Sequence, residues 1–325
     1  MERLGNEPLV SIIIVSYNTR ELLRACLNSI YEHVRGVTFE IVVVDNASSD
    51  GTVEMVHNEY PAVKLISSKK NLGFGVANNV GAQKSHGSFL VFLNSDTVLH
   101  EDTISVLLGY LQKTQRAGIV GPAVYLPDGT LQPRTCGNYP KIRVIINDAL
   151  LLSKLFPGNR YFQGMHLEEN ALDSRKEIVE VEWISGVCML TTKRLFHQVG
   201  GFDPDYFMYT EDVDLCRRIR KNGWSVFRIN STSIVHYCGA SSKTEADKIR
   251  NSVLQQENLM KMLEKTVPPA EVLLARLFLT AGLVLRLIGA AVGCVTGNKS
   301  HKFLWKSSVA RLRALLGIQR CHQGW

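Results

Sequence analysis

No Cys-x-x-Cys pair occurs among the seven cysteines of this 325-residue chain (Cys26, Cys136, Cys188, Cys216, Cys238, Cys294 and Cys321), and their number is odd. That excludes a disulfide framework and a zinc knuckle, and it suits a reducing compartment. No basic-then-apolar leader precedes the first strand-like run at Val10, so the sequence shows no secretion signal. Internal repeats and low-complexity segments are also missing, which leaves out repeat architectures and disordered tracts. Nor is there a charge-free apolar stretch near the ~20 residues of a spanning helix, because Val272–Gly297 is interrupted by Arg276 and Arg286.

What is present is a hydrophobic content of 45%, enough for a substantial core. The formal charge of +7 is unevenly placed. From residue 266 onward there are eight basic residues (Arg276, Arg286, Lys299, Lys302, Lys306, Arg311, Arg313 and Arg320) and one acidic, Glu271, whereas the first 265 residues balance at 29 against 29. A neutral body with a basic, apolar tail points to an anionic membrane surface and away from a nucleic-acid groove.

Val10–Ser16 and Phe39–Asp45 are β-branched runs without alternation, the pattern of parallel strands buried on both faces. Apolar residues at helical spacing lie between them, and the rhythm continues with helices at Gly51–Tyr60, Phe74–Ser85 and His100–Thr114 and strands at Val63–Ser67 and Phe89–Leu93. This predicts an α/β fold with a doubly wound, mostly parallel, Rossmann-like sheet. Beyond Ala117 the spacing predicts a hairpin over Gly118–Leu131, a helix over Ile142–Phe156 and a polar loop over Gly158–Lys176. A strand over Glu177–Thr191, a helix over Thr210–Asn222 and two short strands within Trp224–Tyr237 follow.

Ligands of such sheets sit beyond the carboxyl ends of the strands, where Asn18, Asp45 and Asp96 fall. Asp96, in "FLNSDT", reads either as a helix N-cap or as a carboxylate for Mg²⁺ or Mn²⁺ on a diphosphate. "TEDVDLCRRIRK" sets Glu211, Asp212 and Asp214 at a helix start and bases at its end. Dipole complementarity explains part of this, but adjacent carboxylates also raise one another's pKa toward that of a general base. His236 ends an apolar strand, where a structural hydrogen bond competes with metal ligation. "NLGFGVANN" turns Gly-x-Gly into a helix, bringing N–H groups toward a phosphate or sugar without the third glycine of the dinucleotide fingerprint.

In order along the chain, "VSIIIVSYNTRELLRACLNSI", "IVVVDNASSDGT", "NLGFGVANNVG", "FLNSDT", "WISGVCMLTTKRLFHQVGGFDPDYFMYTEDVDLCRRIRKNGW" and "IVHYCGAS" resemble the inverting family-2 glycosyltransferases of GT-A fold, especially the rhamnosyltransferase-like branch. The resemblance implies helices on both sheet faces and a GT-A domain over residues 1–265, and the apolar, basic composition of residues 266–325 predicts a membrane-associating helical extension. It implies a nucleotide-sugar site of Ser16, Asn18, Asp45, Asn71, Gly73, Phe74, Asn78, Asn94 and Ser95, with Asp45 accepting the pyrimidine N3–H. Asp96 and His236 would hold Mg²⁺ or Mn²⁺, and Asp212 would be the catalytic base. Trp183, Ser185, Gly186 and Glu211 would face the acceptor, although Trp183 and Gly186 fit a packing role equally well. Asn94 replaces the first Asp of the family's Asp-x-Asp, a feature the branch shares.

The expected activity is transfer of a hexose, best L-rhamnose from dTDP-L-rhamnose, to a saccharide or polyprenyl-linked acceptor in cell-surface polysaccharide synthesis. UDP-galactose or UDP-N-acetylglucosamine as donor, and a catalytically silent nucleotide-binding scaffold, are the alternatives. On a helical wheel of Lys299–Arg320, Leu304, Trp305, Val309, Leu312, Leu315 and Leu316 share one side, spoiled by Arg311. Lys299, Lys302, Lys306, Arg313 and Arg320 share the other. This predicts peripheral attachment at the cytoplasmic face of the plasma membrane.

Overall fold

The unbroken β-branched runs form the centre of the sheet. Val10–Ser16 (β1) pairs in parallel with Phe39–Asp45 (β2) on one side and Phe89–Asn94 (β4) on the other, and Lys64–Ser67 (β3) adds in parallel outside β2. The computed structural model describes residues 8–167, 176–238, 244–295 and 299–318. Their connections are the helices Arg20–His33 (α1), Thr52–Glu59 (α2) and Phe74–Lys84 (α3). Asp102 caps Thr103–Lys113 (α4) by accepting the Ser105 N–H. Asp96 is therefore not that helix's cap; it lies in the turn between β4 and Thr97–Leu99 (β5).

Past residue 117 the sheet becomes mixed, for Cys188–Thr192 (β10) runs antiparallel between β4 and Ala117–Tyr125 (β6). Ser225–His236 (β11) then pairs in parallel with β6, and β5 and Ile178–Val181 (β8) flank β11 in antiparallel. The order is β3-β2-β1-β4-β10-β6-β11-β5. One face buries Ile12 and Ile14 with α1, α2 and α4. On the other, Phe92 meets Phe196, in Lys193–Gln198 (α7), and Phe202 at ring separations of 4.9 and 5.0 Å. Helices thus cover both faces of an α/β sheet, as expected.

Four expectations beyond residue 117 are corrected. The turn at residues 127–129 closes through Leu126 N–H donating to Thr130 O, but its return arm makes only an isolated bridge, Tyr125 to Leu131, because β11 takes one edge of β6 and β10 takes the other at Ile119 and Val120. The helix expected over 142–156 is two, Ile142–Ala149 (α5) and Leu152–Leu155 (α6), separated by Leu151 in the left-handed region. There the Asp148 carboxylate accepts from Ser153 Oγ and Met165 N and turns the chain. The strand expected over 177–191 is three. After β8, Trp183–Ile184 (β9) pairs with Cys136–Gly137 (β7), and β10 follows a kink at Ser185–Val187. Apolar continuity does not reveal where a ladder changes partner. The two strands expected within 224–237 are one, β11, with a register shift between Ile229 and Ser233. The polar loop contains a short 3-10 turn, Arg160–Phe162, and its residues 168–175 lie outside the described residues, as do residues 239–241 of the last motif, Arg320 and Cys321.

By contact density the chain divides into two compact units, the first Met1–Gly137, Leu172–Phe207 and Glu211–Ser241, the second Asn138–Ala171, Met208–Thr210 and Ser242–Trp325. The first holds the sheet and Glu211–Lys221 (α8). The second is helical: α5, α6, Glu245–Thr266 (α9), Pro269–Val295 (α10) and Lys299–Leu315 (α11). Thr244 and Asp247 form a capping box at the start of α9, an arrangement that contributes about 1 kcal/mol. Ile145, Met260, Leu263, Leu279, Leu283 and Leu315 are in its core. Five of the seven cysteines, Cys26, Cys136, Cys188, Cys216 and Cys238, are free thiols among the described residues.

Candidate active site

The carboxyl ends of β1 and β2 are stitched together by short polar side chains. Asn18 takes a left-handed conformation (φ 53°), which asparagine tolerates, and its Oδ1 accepts the Ser49 N–H at 2.8 Å. Asp45 is buried, its Oδ2 accepting Ser48 N–H at 3.1 Å while Oδ1 has no partner. Burial raises its pKa, against the hydrogen bonds from Ser48. Ser16 and Ser95 are brought together, but by each other's company: both hydroxyls meet Thr19 Oγ1 at 2.9 Å, a buried chain that ties β1 to β4.

Asn46, which sequence reasoning missed, organises the glycine turn. Its Nδ2 donates to Asn71 Oδ1 (2.8 Å) and Gly73 O (3.2 Å), and its Oδ1 accepts Leu72 N–H (2.7 Å). The signal was its place directly after Asp45 at a strand end. Gly73 has φ 78°, and a Cβ there would stand 2.2 Å from Phe207 O, so only glycine fits. The Phe74 N–H donates to Phe207 O at 2.8 Å and is spent within the protein. Asn78 is buried, donating to Phe74 O, with its own Oδ1 unpartnered.

At the end of β4 the structure joins three predicted residues. His236 Nε2 lies 2.9 Å from Asp96 Oδ1 and 3.4 Å from Asn94 Nδ2. On its far side Nδ1 meets Gln132 Oε1 at 2.8 Å and Cys238 Sγ at 3.1 Å. Burial by itself would lower the His236 pKa, but the hydrogen bonds and charges of Asp96 and Cys238 outweigh it and raise it to about 9. Gln132 gave no sequence signal, since it sits in a polar loop with no motif. Its amide oxygen can only accept, so it fixes the hydrogen on Nδ1 and turns Nε2 toward Asp96. These residues fit a divalent cation: carboxylate oxygen and imidazole nitrogen converge, and the imidazole is oriented from behind. Among the described residues no group of three or more His, Cys, Asp or Glu surrounds such an ion.

The acids of α8 separate into two roles. Asp214 is buried and forms ion pairs with Arg218 (2.7 Å) and Arg217 (3.6 Å), which are structural. Asp212 is half-buried, with Oδ2 accepting Gly186 N–H at 3.0 Å and Oδ1 accepting Val213 N–H at 2.8 Å. Burial raises its pKa, and those two N–H groups restrain the rise. Glu211 is buried with Oε2 unpartnered; burial first and the Asp212 charge second push its pKa well above the usual range. Glu211 is therefore the proton holder and Asp212 the member able to carry charge.

Gly186 sits between Asp212 and the Phe74 ring, for a Cβ on it would stand 2.9 Å from Phe74 Cε1 and 3.9 Å from Asp212 Cβ. Its neighbour Val187 accepts the Asn94 N–H at 3.0 Å. A continuous path of contacts thus runs His236–Asp96, Asn94, Val187–Gly186, Asp212 and Phe74. Trp183 is only 3% exposed, packed in the β7–β9 pair, and Ser185 Oγ accepts the Val187 N–H at 3.4 Å.

The α/β sheet thus carries a carboxylate–histidine pair at one strand end and an acid pair at the start of α8. The family model "Glycosyl transferase family 2" matches residues 11–170, and "N-terminal domain of galactosyltransferase" matches residues 166–238. The chain is similar to the family-2 glycosyltransferases, rhamnosyltransferase-like relatives among them. N-acetylglucosaminyl-diphospho-decaprenol L-rhamnosyltransferase of Mycobacterium tuberculosis is 32% identical over 208 residues, 61% of this chain and 66% of that protein, slightly under two thirds of its length. Rhamnosyltransferase WbbL of Escherichia coli is 24% identical over 240 residues, 70% of this chain and 83% of that one. Two solved structures share the fold. Mannosyltransferase PcManGT from Pyrobaculum calidifontis, in complex with GDP-Man and Mn²⁺, aligns with TM-score 0.58 at 18% identity over 95% of this chain and 86% of that one. GalNAc-T7, with UDP, GalNAc and Mn²⁺, aligns with TM-score 0.54 at 16% identity over 71% and 43%.

Proposed function

We propose that this chain is an inverting glycosyltransferase that moves a sugar, best L-rhamnose from dTDP-L-rhamnose, to a saccharide or polyprenyl-linked acceptor in cell-surface polysaccharide synthesis. The observation that carries the reading is Asp212, held by the Gly186 N–H beside a proton-holding Glu211 and linked through Val187 and Asn94 to the Asp96–His236 pair. The relatives named as rhamnosyltransferases favour the donor.

In this reading Asp212 takes the proton of an acceptor hydroxyl as that oxygen attacks the anomeric carbon. The bond from that carbon to the diphosphate oxygen breaks on the opposite side, the electron pair leaves with the nucleoside diphosphate, and the configuration inverts. Asp45 Oδ1, the buried oxygen without a partner, accepts the imide N–H of a thymine or uracil base in a pocket lined by Ser16 and Asn18, and Asn71, Gly73, Phe74 and Asn78 border ribose and sugar. Asn94 and Ser95 shape the diphosphate end. Ser185, Gly186 and Glu211 face the acceptor, with Trp183 packed behind them. Asp96 and His236 would hold a Mg²⁺ or Mn²⁺ ion, which supplies neutralisation of the diphosphate charge when bound. The catalytic part is assigned to residues 1–265, and residues 266–325 attach it to an anionic membrane surface on the cytoplasmic side.

Nucleotide release measured with dTDP-L-rhamnose, UDP-galactose and UDP-N-acetylglucosamine, each with Mn²⁺ and an acceptor, tests the reading. Release from dTDP-L-rhamnose is expected, release from a UDP-sugar alone would replace the donor, and release from none would overturn the enzyme. A silent scaffold is favoured only by Asn94, which takes a carboxylate out of the Asp-x-Asp position. It predicts nucleotide binding with no turnover.

A further inference from the structure

Apart from Leu9, Tyr31 and Tyr237, every exposed large hydrophobic side chain among the described residues belongs to the helical unit. On α10 they recur at helical spacing: Leu273, Leu277, Val284, Leu285, Ile288 and Val292, between 42% and 70% exposed. From residue 273 to 292 this stripe runs about 28 Å at the α-helical rise per residue. The opposite stripe, Ala275, Leu279, Leu283 and Ala290, is buried.

The two arginines that interrupt the apolar sequence do not interrupt the outward stripe. Arg276 donates to Leu315 O and pairs with Glu264, and Arg286 donates to Asp148 O, Ala149 O and Gly282 O. Both are turned onto neighbouring helices of their own unit. The outward stripe of α10 is consequently free of charge from residue 273 to 292, a contiguous apolar surface of the kind that marks an interaction site.

Expectation had placed the membrane contact on α11, and there the division is not clean. Leu304, Trp305 and Leu316 are exposed, but Leu315 is in the core, Val309 and Leu312 are half-buried, and Arg311 reaches Gln256 at 2.6 Å. What α11 offers to solvent is Trp305 together with the exposed cations Lys302 and Arg313.

We propose that α10 lies in the plane of an anionic lipid bilayer, its outward stripe among the acyl chains, with the exposed cations of α11 drawing the unit to the headgroups. The inference rests on the membrane placement proposed above but not on the donor or the chemistry. Pro269–Gly293 is long and apolar enough to cross a bilayer, yet its inner stripe packs on α5, α9 and α11, so it lies along the surface. Charge selects lipid over a second copy of the chain. Residues 266–325 carry eight basic residues to one acidic, which complements phosphatidylglycerol and repels itself across a symmetric contact.

The test is co-sedimentation of the full chain with mixed phosphatidylglycerol–phosphatidylcholine vesicles. Wild type is expected to bind, and less to pure phosphatidylcholine. The double variant Leu277→Glu/Ile288→Glu is expected to lose at least about tenfold in partitioning while donor-dependent nucleotide release stays unchanged. As a measurement independent of those charges, Ile288→Trp should show added fluorescence quenching by brominated lipid relative to wild type. Undiminished binding by the double variant, or no added quenching in Ile288→Trp, overturns the proposal. So does a lipid-free dimer in sedimentation velocity that the double variant dissolves, since the stripe would then be an interface between copies. Absence of nucleotide release from wild type, with vesicle binding intact, would refute the enzyme reading and leave this one standing.

Discussion

Asp212 and Glu211 are neighbours in sequence with opposite electrostatic fates. Asp212 receives two backbone N–H groups, and Glu211 has none for its Oε2. With its proton retained, Glu211 is imitated by glutamine. Glu211→Gln is therefore expected to keep kcat within a few-fold, whereas Asp212→Asn should lose about 10²–10⁴-fold. Steady-state nucleotide release on both variants decides it, and the reverse pattern would exchange the roles. Because burial raises the Asp212 pKa, activity should fall as pH drops through a limb above the ordinary carboxylate range. The stability linkage has the complementary sign. A carboxyl whose folded pKa is raised contributes stability below its unfolded value and loses it as pH rises through the folded value, so Glu211→Gln should gain stability relative to wild type toward alkaline pH, read by thermal unfolding. Gln132 allows a third check at this scale. As the group that orients His236 from behind, its replacement in Gln132→Ala should weaken Mn²⁺ binding about 10–100-fold, measured by direct titration of the ion.

At the scale of elements, the turn into α3 and the start of α8 depend on backbone geometry that tolerates little change. Gly73→Ala would force a non-glycine residue to φ 78° and drive its Cβ against the Phe207 carbonyl. A loss of about 1–3 kcal/mol is expected from the backbone conformation alone, together with loss of turnover. Gly109→Ala is the matched control: it lies inside α4 with nothing within 4 Å of its Cβ and should gain about 0.5–1 kcal/mol. Thermal melts of the pair separate the two. Ahead of α8, Tyr209 and Thr210 both have positive φ, and Asn258 of α9 donates to Met208 O and Tyr209 O, holding that segment. The sequence motif marks the acids, but nothing in it marks Asn258, which is 48 residues beyond that turn.

For the molecule as a whole, the helical unit carries both the charge excess and the exposed apolar surface. Because α10 is packed along one side, wild-type chain recovered with membranes should be released by alkaline carbonate, as a surface-seated helix is and a spanning one is not. Fractionation followed by immunodetection checks this. The parallel half of the sheet was legible because buried parallel strands leave long β-branched runs that stop at polar residues. The half beyond residue 117 was less so. There β10 inserts antiparallel between β4 and β6, and one apolar stretch serves two ladders.

The sequence alone determined the strand–helix rhythm, the strand-end positions of Asp45 and Asp96, the acid pair of α8 and the polarity of the tail. Each is a local pattern of side-chain chemistry along the chain. Only the tertiary structure decided that His236 meets Asp96 with Gln132 behind it, that Gly186 holds Asp212, that Ser16 and Ser95 share Thr19, and that Arg276 and Arg286 turn aside onto neighbouring helices to leave α10 an uncharged stripe. These are contacts between distant segments, set by which elements pack together, and a linear pattern carries no record of the direction in which a side chain will find its partner.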